Sequence, residues 1–173
     1  MDARAEIRNR GNRHFRMAIV LVALFVCANC SPAEAQQTRI RARDGAQSIT
    51  HTLKSEPQTF APVRWDVGSG FANGCVVEWT AAPFTHVSQS TSRADCSIAV
   101  SIAQSNRRGR WRVVKATDRT NVSSGNQPAT VSIASERSGT ARVQLSVQFL
   151  GTSVTNLAAG DYQTTITGTI TGL

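Results

Sequence analysis

Acidic residues are scarce in this chain: 11 Asp+Glu stand against 19 Lys+Arg, for a formal net charge of +8. Histidine is scarcer, at three. The two in the body of the chain, His51 and His86, sit on separate segments with no acidic residue patterned beside either, so no His–carboxylate couple is offered for acid–base work. There is no G-x-S-x-G elbow for a serine nucleophile. There is likewise no Gly-rich phosphate loop, no His/Cys metal spacing and no calcium loop. Asp66, Glu78, Asp118, Glu136 and Asp161 are scattered, whereas glycoside hydrolysis needs a close pair of carboxylates. The expectation is a protein without catalytic activity, metal or cofactor.

Two further absences bound the architecture. Beyond residue 35 no segment repeats its apolar residues every 3.6 positions, which speaks against a helical core. The longest apolar run, Met17–Ala28, is 12 residues, short of the roughly 20 needed to cross a bilayer as a helix. That run follows a basic stretch (Arg4, Arg8, Arg10, Arg13, Arg16) and precedes Ser31-Pro32 and the small-x-small box Ala33-Glu34-Ala35, the pattern of a cleaved export signal. Arginines are not paired ahead of it, which points to Sec-type rather than twin-Arg export. A lipid-anchored Cys27 or Cys30 is the alternative, with Val26 and Asn29 poor fits to the small residue such signals use. Cleavage after Ala35 leaves residues 36–173, one domain, secreted, periplasmic or at the cell surface, with no transmembrane segment. Removing five of the 19 basic and three of the 11 acidic residues leaves a net charge of +6.

What remains is rich in period-two alternation. Val143, Leu145, Val147 and Phe149 alternate with Gln144, Ser146 and Gln148. Tyr162, Thr164, Ile166, Gly168 and Ile170 share one side of a final strand whose other side is Gln163, Thr165, Thr167, Thr169 and Thr171. Shorter stretches behave alike: Ile49–Leu53, Val63–Val67, Cys75–Thr80, Cys96–Gln104, a return strand begun by Trp111 and Val113, and Val131–Ile133. Residues 36–48 read as a loose basic leader with at most a short edge strand, and 49–173 as the folded domain. Seven or eight short strands with turn signals every 8–15 residues predict an all-β, single immunoglobulin-like antiparallel β-sandwich, with a closed barrel second. Gly168, on the inward side, leaves room for Trp65, Trp79 or Trp111.

Cys75 and Cys96 are the two cysteines left after export, and such a pair is expected to form a disulfide, with two buried thiols the alternative. The bond would close a loop of about 22 residues, worth roughly 3 kcal/mol. Geometry adds a condition. Were Cys75–Thr80 and Cys96–Gln104 simple hairpin neighbours, their first residues would lie roughly 17–20 Å apart, against a Cα limit of about 7 Å. The intervening segment must therefore carry the chain back, with a short strand around Thr85–Gln89.

The sharpest local feature is basic: Arg107, Arg108, Arg110, Arg112, Lys115 and Arg119, with Trp111 interleaved. On a hairpin these would line one positive edge. Arginine suits bidentate contact with carboxylate, sulfate or phosphate, so the edge is a candidate polyanion site. The alternative is a solvated turn whose charges discourage edge pairing. For an exported chain the expected polyanion is an anionic glycan rather than nucleic acid.

The ending "LAAGDYQTTITGTITGL" resembles the last strands of exported bacterial β-sandwich proteins of the fimbrial-subunit and spore-coat-U-like kind. These close with a small-residue–Gly–x–Tyr step and a Thr-rich terminal strand, matched here by Leu157, Ala159, Gly160, Tyr162 and Thr164–Thr171. The resemblance implies an Ig-like fold, export, a structural or adhesive surface role, and like subunits or other cell-surface proteins as partners. Donor-strand pilins offer their neighbour a leader of alternating apolar residues, whereas Gln36–Arg43 offers only Ile40 and small residues.

Overall fold

The structure, a computed structural model, describes residues 16–22, 38–50, 56–125, 127–151 and 157–173. Among them every regular element is a strand and none is a helix. In chain order these are β1 (Arg16–Val22), β2 (Arg39–Ala42), β3 (Gln47–Thr50), β4 (Gln58–Thr59), β5 (Val63–Ser69), β6 (Cys75–Ala81) and β7 (Phe84–His86). Then follow β8 (Arg93–Ser105), β9 (Arg112–Lys115), β10 (Thr117–Arg119), β11 (Ala129–Ser135), β12 (Gly139–Leu150) and β13 (Tyr162–Gly172). The protein is all-β, as its alternation predicts. Segments of two to four residues, such as β4 and β10, are too short to show a period, so more strands form than the seven or eight legible in the sequence.

All thirteen join one hydrogen-bonded sheet in the order β2-β5-β12-β8-β7-β13-β6-β11-β9, with β10 beside β8, β4 beside β12 and β1 between β3 and β13. Pairing is antiparallel except for β1, which runs parallel to β13 from Met17 opposite Tyr162 to Val22 opposite Thr167. The sheet turns back on itself. Trp65 of β5 meets Trp79 of β6 edge-on, ring centroids 6.1 Å apart, although the two strands are not paired. At the other end Phe149 of β12 lies 5.2 Å from Phe84 and 6.0 Å from Tyr162. On one flank the chain itself makes the passage. β9 pairs with β11 and β10 with β8, only Ala116 between them, and its carbonyl accepts the Val100 N–H at 2.8 Å.

The inward rows are the apolar ones. Val143, Leu145, Val147 and Phe149 are fully buried, and so are Trp65, Trp79, Tyr162 and Ile166. Thr164, polar on the inward row, donates its hydroxyl proton to the Ala82 carbonyl at 2.5 Å, which removes the desolvation cost. Gly168 lies opposite Trp79, and a Cβ there would sit 3.1 Å from the indole nitrogen and 2.6 Å from Ile40 Cδ1. Of the three tryptophans expected to use that room, Trp79 does.

The Tyr162 ring is tied down at its tip. Its hydroxyl donates to the Ala158 carbonyl four residues upstream (3.2 Å), and Ser92 Oγ lies 2.5 Å from the same oxygen while accepting the Ala158 N–H at 3.3 Å. Tyr162→Phe removes this bridge and leaves buried groups unpaired, so unfolding free energy is expected to fall by about 1–3 kcal/mol in urea titration. A loss below about 0.5 kcal/mol would mean the bridge holds nothing.

Two expectations are corrected. Cys75 and Cys96 are both buried free thiols. The segment between them does not carry the chain back: β6 continues through Ala82-Pro83 into β7, since both run antiparallel to β13, and only then does the chain turn into β8. Cys75 therefore pairs with Gly172 at one end of the sheet and Cys96 with Phe149 at the other. Seven to nine residues of strand separate them, roughly 25 Å, and no disulfide can span that. Second, Trp111 and Val113 do not return along β8, because β9 crosses to β11. Within the basic leader a short edge strand forms. β2 pairs with β5 and buries Ile40 in the core, and β3 follows. The expected alternation of His51 and Leu53 lies outside the described residues.

Candidate functional site

The six basic residues singled out from sequence do not converge. Arg107 and Arg108 are exposed in the turn after β8. Arg110 has a left-handed backbone (φ +47°), uncommon for a side chain of its bulk, and its Nη1 lies 3.3 Å from Glu136 Oε2. Arg112 is on β9 opposite Ala134, while Arg119 is on β10 opposite Ser97, eight residues of β8 away from Ser105 at the tip. Lys115 Nζ is 2.7 Å from Asp118 Oδ2. Burial would raise the Asp118 carboxyl, but the Lys115 ammonium and the N–H groups of Thr130 and Arg119 outweigh it and hold its pKa below the ordinary value. Two of the six cations are thus paired, and one lies at the far end. The crossing at Ala116 explains the scatter, because it sends consecutive residues to opposite halves of the sheet.

Other arginines gather instead. Pairing of β2, β5, β12 and β8 sets Arg41 opposite Asp66, Asp66 opposite Arg142, and Arg142 opposite Gln104. Asp66 is shared, with Arg43 Nε at 3.0 Å and Arg142 Nε at 3.6 Å. Arg64 clasps Asp44 through both carboxylate oxygens and holds that carboxyl below its usual range. At the adjoining end Arg39, opposite Gly68, shares a hollow of about 240 Å³ with Arg108, Ser69, Ser138 and Thr140. Among the described residues neither Arg39 nor Arg108 has an acidic partner within ion-pair distance. Arg39 and Arg142 lie outside the basic cluster of residues 107–119 that the sequence singles out. The alternation of Arg39, Arg41 and Arg43 with Ile40 and Ala42 was a usable signal, whereas Arg142 becomes their neighbour only through strand pairing.

His86 is engaged structurally. Its Nδ1 accepts the N–H groups of Ser88 and Gln89 (3.1 and 3.0 Å), Nε2 lies 3.2 Å from the Ala159 carbonyl, and the ring packs edge-on against Tyr162. Both ring nitrogens are taken. Among the described residues no three His, Cys, Asp or Glu side chains come together as metal ligands. No helix among them is long and apolar enough to cross a membrane. No protein-family model matches the chain, and no curated protein matches it.

Proposed function

We propose that this is an exported, immunoglobulin-like β-sandwich protein with a structural or adhesive role at the cell surface, and that it assembles by strand addition along the outer edge of β13. The observation that carries the reading is the partner of that edge. β13 has β6 and β7 on one side and β1 on the other. β1 lies within the segment whose composition reads as an export signal. Removing it bares the backbone N–H and C=O groups of β13 that faced it, and the edge of β3 with them. A bare edge beside an apolar interior is a template for another strand.

Three features support the sandwich. Trp65 and Trp79 touch across unpaired strands. Tyr162, at the start of a strand, bonds back to the carbonyl four residues upstream, the tyrosine-corner geometry of Greek-key sandwiches. The ending that resembles fimbrial-subunit and spore-coat-U-like proteins is the same β13. The leader is not the donor, because Ile40 already serves its own core; the entering strand comes from another subunit or another surface protein.

The test uses the processed, exported protein. Size exclusion is expected to show multimers that grow with concentration and withstand modest salt. A synthetic peptide of the β1 sequence should return them to monomers, while the same peptide with Ile19→Pro should not, since proline breaks the pairing. A monomer at every concentration that binds neither peptide would refute strand addition.

A further inference from the structure

We infer that the trench running from Arg108 through Arg39 to Arg142 is a docking site for an acidic polysaccharide whose sugar rings carry carboxylates. Two hollows, of about 240 and about 350 Å³, adjoin there and share Arg39, Asn106 and Thr140. The first adds Arg108, Ser69 and Ser138, the second Arg142, Asp66 and Gln104. Three arginines thus border two adjoining hollows, together with hydroxyl- and amide-bearing side chains.

Each component favours this ligand. Arginine forks match carboxylates, and cations spread over two adjoining hollows suit a chain carrying several charges better than a single ion. Asp66 is already countered by Arg43 and Arg142, so the surplus charge sits on Arg39 and Arg108. An acceptor such as Asp66 among hydroxyls and amides fits the hydroxyl groups of a sugar and repels a closely spaced phosphate chain. Among the described residues no aromatic side chain lines either hollow, so bases would find nothing there to stack on, which disfavours nucleic acid.

The floor is rigid before any ligand arrives. Asn106 Oδ1 accepts the N–H groups of Gly109 and Thr140 at 3.2 and 3.1 Å, and its own N–H donates to the Thr140 carbonyl. Gly139 is packed so closely here that a Cβ would lie 2.5 Å from Asn106 Oδ1. The turn carrying Arg108 is thereby fixed to the start of β12. This inference uses none of the pairing invoked for strand addition, so either can fail alone.

Calorimetric titration of the full protein with oligogalacturonate tests it. Binding is expected, with log affinity falling linearly with log salt. R39Q/R108Q should weaken it at least about tenfold, the loss of a charge-assisted contact. R112Q/R119Q carries the same charge change elsewhere and should leave binding within about twofold. Neutral dextran should not bind, and a heparin oligosaccharide or a single-stranded DNA oligonucleotide should bind more weakly. Absence of uronate binding, equal loss in both double variants, or tighter binding of the sulfated chain or the DNA would overturn the proposal. Thermal midpoints of the four exposed substitutions are expected to match the parent, so a lost interaction cannot be ascribed to unfolding.

Discussion

Trp79→Ala is expected to lower the unfolding free energy by about 3 kcal/mol, a large part of the roughly 5–15 kcal/mol a domain of this size possesses. Truncating a buried aromatic residue costs about 3–5 kcal/mol through lost transfer energy and the cavity left behind. The value falls at the low end for a specific reason. Among the described residues the buried indole nitrogens of Trp79 and Trp65 find no hydrogen-bond partner, and such a group costs about 1–3 kcal/mol that truncation returns. Trp79→Phe, which keeps much of the ring and deletes the unpartnered N–H, should therefore change stability by less than about 1.5 kcal/mol. Gly168→Val approaches the same contact from the other side. Even its first added carbon would meet Ile40 Cδ1 at 2.6 Å and the Trp79 ring at 3.1–3.2 Å. Ile40 can swing its methyl away, but the indole is held on all sides, and overpacking of this kind costs about 1–3 kcal/mol. Urea titrations of the variants give these numbers directly. Trp79→Ala within about 1 kcal/mol of the parent would mean the two halves of the sheet are not closed over this residue.

Raising the pH from 9 to 12 should destabilise the parent by up to about 4 kcal/mol more than it destabilises Cys96→Ala. Burial, with the Asp95 carboxylate adding to it, pushes the Cys96 thiol from 9.0 up to about 12. The folded protein therefore keeps its proton where the unfolded chain has released it. Stability from the neutral thiol is fully present below pH 9 and is lost as pH rises through 12, at about 1.36 kcal/mol per pH unit. Cys96→Ala pays a fixed packing cost and has no such slope. Unfolding curves of both proteins at pH 8, 9.5 and 11 should thus converge, and parallel curves would refute the assignment. Dithiothreitol should shift neither midpoint, because neither cysteine is bridged.

How far the sequence could be read depended on the length over which its pattern repeats. β8, β12 and β13 hold a period of two for ten residues or more, and their inward rows were legible position by position, down to the space left by Gly168. β7 and β10 offer three residues each, too few to reveal a period. Partner choice was the larger gap. Nothing local in "RRGRWRVVKATDR" says that its two short strands join different neighbours, so the single basic edge expected of one hairpin does not form; the disulfide needs a chain reversal between β6 and β8 that β7, running on in the direction of β6, does not make. Arg39 and Arg142 lie about a hundred residues apart in the chain and become neighbours through β5, a relation no spacing rule contains. Tyr162 was placed correctly on its strand, but its bond to Ala158 depends on a corner whose shape only the fold supplies.

The passage of the chain at Ala116 has a mechanical consequence. On that flank the two faces are bound like the spine of a book, by covalent backbone and its hydrogen bonds; on the opposite flank, once β1 is removed from between β3 and β13, Ile40 merely leans on Gly168. The covers can part only along the latter margin. A newcomer to the interior would have to be inserted there, and the spine would return the covers to the same alignment each time they shut.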